Sequence, residues 1–169
     1  MAYIPDILDY KPFYIQTDAD ANAINTTEWG MIAKGNPYPI LPQPKEVYKN
    51  DWLDENGDDE YAQLYYQSFE FSVDFYVKTF ADAERSAEAV LREQISSFFD
   101  KVKVGEFKVY DAYTSLGWQK VRYAGFEENS FKKGVKNGKE WARAIFSVAF
   151  KVNDPITRMA LSNGQITSI

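Results

Sequence analysis

Two stretches of this chain alternate apolar and polar residues with a period of two, and a third between them repeats at helical spacing. From residue 65, Tyr65, Gln67, Phe69, Phe71, Val73, Phe75 and Val77 fall on one face. Tyr66, Ser68, Glu70, Ser72, Asp74, Tyr76 and Lys78 fall on the other. Only Gln67 interrupts the apolar face, so the pattern predicts a long strand buried on one side. At about 3.3 Å per residue it would span roughly 45 Å. A second long strand follows from Ala142, Ala144, Phe146, Val148, Phe150 and Val152, and Asn153-Asp154-Pro155 ends it. Its other face carries Trp141, Arg143, Ile145, Ser147, Ala149 and Lys151. Apolar residues on both sides predict cover on both sides. Between the two strands, Ala83, Ala87, Val90, Leu91, Gln94, Ile95 and Phe98 form a helical stripe. Thr79 followed by Asp82 suits an N-terminal cap, and Asp82, Glu84 and Glu88 suit the positive end of the helix dipole. With Lys101 and Lys103 near the other end and Gly105 as a stop, one amphipathic helix is expected from about 81 to 101.

The remaining elements are shorter. Phe107, Val109 and Tyr110 suggest a strand, Ser115-Leu116-Gly117 a turn, Trp118 to Tyr123 a strand, and Phe126 to Phe131 its continuation or a new strand. Lys132 to Lys139 reads as a glycine-punctuated hairpin loop whose tightest turn is Asn137-Gly138. Residues 1–60 are irregular. Pro5, Pro12, Pro37, Pro39, Pro42 and Pro44 each fix φ and remove a donor, which favours extended chain, with edge strands around Phe13 to Ile15 and Trp29 to Ile32. The organisation expected is an N-terminal arm with a Pro-rich and acidic segment (1–60), a β-rich core with one helix (61–157) and a C-terminal arm (158–169). The fold class is α+β, mainly β: a sandwich or barrel flanked by one amphipathic helix.

Composition removes most chemistry. The chain has 169 residues with no Cys and no His. Disulfides, thiolate nucleophiles, imidazole acid–base catalysis and ordinary zinc sites are excluded together. No run of about 18 apolar residues could span a membrane. The net charge of −6 argues against generic nucleic-acid binding. Aromatic residues are abundant at 17%, which suits strands and interfaces alike. Six carboxylates crowd residues 51–60. Aligned as a calcium loop on Gly57, that segment puts Trp52 at the first ligand position and Gln63 at the last, so the pattern fails. No phosphate loop or nucleophile elbow is present, no enzyme is expected, and no cofactor or metal is called for. What remains is surface. The acidic residues Asp54, Asp58 and Asp59, the basic cluster Lys132, Lys133 and Lys136, and the outward Trp141 and Ile145 are the candidate subunit-interface residues.

The order of elements resembles the tail-tube fold of phage tail tubes, distal-tail rings and related injection machines, in which long strands or hairpins pair between subunits. Local sequence is similar to tail proteins of phages and prophages of Bacteroidetes. The similar segments are Asn50 to Tyr61, Lys108 to Thr114 with Trp118 to Tyr123, and Phe150 to Thr157. The resemblance spans about residues 50–157. It implies a structural virion protein, a tail tube subunit that stacks as hexameric rings, with a distal-tail or tail-terminator ring as the alternative. The implied partners are further copies of the chain and other tail proteins. DNA would pass only transiently through a lumen, with no membrane involved, and the location would be the virion tail after assembly in the host cytoplasm. The alternative of another class is a monomeric β-sandwich that binds carbohydrate or a small ligand through surface aromatics.

Overall fold

The computed structural model describes residues 12–34, 38–39, 41–45, 49–51, 58–60 and 65–169, with the backbone alone at 49–51 and 58–60. The strands are β1 (Phe13–Gln16), β2 (Ile24–Asn25), β3 (Met31–Ala33), β4 (Lys49–Asp51), β5 (Asp58–Glu60), β6 (Phe69–Phe80), β7 (Phe107–Asp111), β8 (Leu116–Lys136), β9 (Lys139–Asp154), β10 (Met159–Ser162) and β11 (Gln165–Ser168). A 3-10 turn spans Thr26–Trp29, and the helix α1 spans Ala87–Val102. Seven strands form one antiparallel sheet in the order β2-β1-β7-β8-β9-β6-β3.

That sheet curls on itself. In a flat sheet β1 and β6, four places apart, would lie about 19 Å from each other at roughly 4.8 Å per strand. Yet the Phe13 ring on β1 meets Phe75 on β6 at 6.1 Å, edge to face, and stacks on Phe150 of β9 at 6.2 Å. All three rings are fully buried. The helix crosses the open side of the curl. Ala87, Leu91, Phe98 and Val102 are its buried stripe, and Phe98 packs on both Phe75 and Trp29. At about 1.5–3 kcal/mol for each large apolar side chain, this stripe rather than helix propensity holds α1 in place. Lys101 Nζ, 2.5 Å from Asp20 Oδ1, ties its last turn to the chain after β1. The expected sandwich-like core flanked by one helix is therefore present.

The elements differ from expectation at their ends, for local reasons. The helix starts at Ala87 and not near 81. Asp82 Oδ1 accepts from the N–H groups of Glu84 and Arg85, which makes a separate turn, and Ser86 Oγ caps by accepting from Ala89 N at 3.2 Å. Thr79, the expected cap, still belongs to β6, and its buried hydroxyl donates to the Ala87 carbonyl at 2.7 Å. β6 begins at Phe69 because residues 65–67 pair elsewhere. Tyr66 bridges Pro44, and the Gln67 amide donates to the Pro44 carbonyl. The segments at 118–123 and 126–131 are one strand of 21 residues, bulged between Tyr123 and Gly125 and between Glu128 and Ser130. Asn137 and Gly138, both at positive φ, make the tight turn into β9. Of the residues expected to be arms, Phe13 and Ile15 are buried in the main sheet. Residues 159–168 fold back as the β10–β11 hairpin, with Met159 and Ile166 buried.

Candidate assembly surface

β8 outruns its neighbour. On one side it pairs with β9 along nearly its whole length, to Lys136↔Lys139. On the other side β7 reaches only Leu116 to Val121. Among the described residues, 122–136 therefore present an unpaired edge about 50 Å long. An open edge is a template for another strand. Two bulges and the charges of Glu127, Glu128, Lys132 and Lys133 guard this edge against pairing with a generic strand.

Beside the edge runs an apolar groove of about 430 Å³ between α1 and the β8–β9 hairpin. Ile95 and Phe99 line it from the helix, Phe126 and Phe131 from β8, and Phe146 from β9. Phe99 packs edge-on against Tyr123 at 5.4 Å, and Phe126 lies 5.3 Å from Phe146. Even so, Phe126 is 51% exposed and Phe99 43%. Arg92, Ser96 and Glu128 supply its polar rim. Among the described residues no three acidic side chains are grouped to hold a metal. The lining is mainly apolar, so the groove can bury apolar side chains.

The sequence-predicted interface residues do not form one cluster. Asp54 lies outside the described residues. Asp58 and Asp59 belong to β5, which among the described residues pairs with β4 alone, setting Asp58 opposite Asp51 and Asp59 opposite Asn50. Lys132, Lys133 and Lys136 are exposed near the end of β8, on two different faces. Lys133 turns toward the helix and donates to Glu88 Oε2 at 3.1 Å. That ammonium, with Arg92, holds the Glu88 carboxyl below the ordinary carboxylate range. Lys132 sits on the opposite face, in register with Arg143. Trp141 and Ile145 also occupy that outer face, half-buried. Ile145 stands between Tyr76 and Ser130. The Trp141 indole lies across Gly134, where an added Cβ would come within 3.0 Å of the ring. Sequence reasoning missed Phe99 and Phe126. The Phe98-Phe99 pair was the available signal, since adjacent helical residues cannot both face the core.

No protein-family model matches the chain, and no curated protein matches it. A similar solved structure is that of the Dit protein (gp 19.1) of phage SPP1, described as a paradigm of hub adsorption apparatus in phages that infect Gram-positive hosts. The likeness covers 89% of this chain and 53% of that one, with a TM-score of 0.51 and 16% identity. The chain thus spans about half the length of the structure it matches. What the two share, over about half of the SPP1 protein's length, is a fold, which in this chain is mainly antiparallel β with one α-helix among the described residues.

Proposed function

We propose that this chain is a structural subunit of a phage tail and that it works by assembling with copies of itself into a closed ring. The observation that carries the proposal is the unpaired edge of β8 continuous with the apolar groove beneath it. A strand laid along that edge by a neighbouring copy would satisfy its backbone groups. Alternate side chains of that strand would drop between Phe99, Phe126 and Phe131. Among the described residues the other side of the sheet offers a different open stretch, because β3 pairs with Phe75 to Val77 of β6 and beyond it Lys34 N–H donates to the Asp74 carbonyl. A contact between two unlike edges is heterologous, and such contacts close into rings when the rotation permits. Closure leaves no free edge.

The fold shared with a hub protein favours a ring of the tail hub over the tube subunit expected from the sequence, and both would use the same closure. The source proposed from local sequence, a phage or prophage of Bacteroidetes, belongs to the same reading. A monomeric carbohydrate- or ligand-binding module is less well supported, because polar groups do not converge inside the groove. Sedimentation velocity from micromolar to millimolar concentration tests the proposal. Growth of a single discrete oligomer with concentration is expected, and a monomer throughout would overturn it.

A further inference from the structure

The open edge of β8 is complementary to itself. Past the first bulge, residues 125–134 read Gly-Phe-Glu-Glu-Asn-Ser-Phe-Lys-Lys-Gly. The register with β9 fixes their faces. Gly125, Glu127, Ser130, Lys132 and Gly134 stand on the face turned away from α1. Phe126, Glu128, Phe131 and Lys133 stand on the helix side. Asn129 is the extra residue of the second bulge, so the parity changes midway.

Two such strands laid antiparallel about a two-fold axis between Asn129 and Ser130 match residue by residue. Gly125 falls opposite Gly134, Phe126 opposite Lys133, Glu127 opposite Lys132 and Glu128 opposite Phe131. Both members of every pair share a face, because each copy carries the same parity change at the axis. A regular strand lacks that step and would have half its side chains on the wrong face. The first bulge, between Tyr123 and Gly125, shifts the parity again, so the match covers residues 125–134 and ends there.

The pairs are also chemically matched. Glu127 meets Lys132 twice, once on each side of the axis, and opposite charges directly across strands are favourable. Within one copy the two lie roughly 15 Å apart along the strand. Among the described residues neither has an ion-pair partner in its own chain. On the helix side, the exposed Phe126 of one copy stands diagonal to the half-buried Phe131 of the other, within reach of an aromatic side chain. The two apolar grooves therefore meet across the axis.

We propose that, in subunits not yet assembled, this edge is capped by the same edge of a second copy. The proposal rests on the reading of the edge as the assembly surface and adds how that surface is held in reserve. A pair of like edges is isologous, so it closes on itself and cannot propagate. Rings replace it as concentration rises, because each copy is held on two sides in a ring and on one side in the pair.

Three variants of the full chain test it: Glu127→Lys, Lys132→Glu and the two together. Sedimentation velocity at low micromolar concentration and low salt is expected to show a dimer of the unmodified chain. Either single substitution sets like charges opposite each other on both sides of the axis and should weaken the dimer at least about tenfold. The double variant, with the charges exchanged, should recover it. So should an equimolar mixture of the two single variants, which brings opposite charges together between unlike copies. Because the chain has no cysteine, Ser130→Cys gives a second measurement. Across the axis the two Cα atoms at this position would lie about 6 Å apart on one face, within the disulfide range of about 4.4–6.8 Å. The oxidised variant should be a covalent dimer that no longer forms rings. Single variants that dimerise like the unmodified chain, an unlinked Ser130→Cys chain, or a covalent dimer that still builds rings would each defeat the inference and leave the ring untouched. A dimer that shows both recoveries and never gives way to rings would uphold the pairing and overturn the ring. A chain that stays monomeric from micromolar to millimolar concentration would defeat both.

Discussion

Replacing Phe126 by Ala separates the energy that folds a subunit from the energy that joins two. An aromatic side chain carries about 150–250 Å² of surface, and Phe126 keeps 51% of its own exposed in the isolated chain. About 100 Å² is therefore left for a neighbour to cover, which at roughly 25 cal/mol per Å² is about 2.5 kcal/mol per interface. That corresponds to roughly sixtyfold weaker association at each contact. The buried half of the ring packs on Phe146. Its loss costs the subunit no more than a similar amount, and less once compactness of the unfolded chain is allowed for. A fully buried ring such as Phe75 should instead cost about 3–5 kcal/mol in folding. Ile156, at 50% exposure and outside the groove lining, is the matched control. Sedimentation would report association, and urea unfolding of dilute protein would report stability. Phe126→Ala should leave a folded subunit that associates about sixtyfold more weakly, while Ile156→Ala, with a comparable small loss of stability, leaves association unchanged. Equal loss of assembly in the two variants, or normal assembly of Phe126→Ala, would refute the role given to the groove.

Three further expectations concern other parts of the molecule. A Cβ added at Gly117 would lie 2.8 Å from the Met159 carbonyl oxygen and 3.0 Å from that of Val109. Backbone cannot yield as a side chain can, so Gly117→Ala should lower stability by about 1–3 kcal/mol in urea unfolding. Burial alone would raise the Asp154 carboxyl, but Gln119, the Thr157 hydroxyl and two backbone N–H groups outweigh it and hold its pKa at about 2, against an ordinary 3.8. A depressed carboxylate stabilises the fold above its unfolded pKa. That contribution, on the order of 1–2 kcal/mol after allowance for solvent, should fade as pH falls from about 4 toward 2. Urea midpoints at pH 5 and pH 2.5 should differ more for the unmodified chain than for Asp154→Asn. Replacing Lys132 to Lys139 with a two-residue Asn-Gly turn should leave the melting of the monomer near normal and abolish assembly, as read by calorimetry and sedimentation. A shortened chain that still assembles would show that the hairpin tip is dispensable.

The parts of the fold that were legible are those where one face is wholly buried. Every second residue of β9 from Ala142 to Val152 is in the core, so the period of two survives intact. Phe71 to Val77 of β6 behave the same way. Alternation breaks within β8 because its two bulges shift the parity. Tyr123, Phe126 and Phe131 share the helix-facing side at odd intervals of three and five, and no fixed period finds them. The helix start was misplaced because Asp82 and Ser86 are both good capping residues and only the second caps α1. The β10–β11 hairpin contributes just Met159 and Ile166 to the interior, too few for a pattern. Its turn is Asn163-Gly164, both at positive φ. For the candidate surface, simple alternation would have put Lys132 and Lys133 on opposite faces. The open edge of β8 could not be read, since it depends on how short β7 is beside it.

Electron microscopy of the purified chain at the highest concentration it reaches, with the particle mass taken from the same sample, bears most directly on the claim that this protein acts by closing into a ring. Closed rings of one subunit number are expected, with β8 of each copy edge to edge with its neighbour in the averaged density. A uniform population of single subunits, or open chains of variable length with no closure, would contradict it.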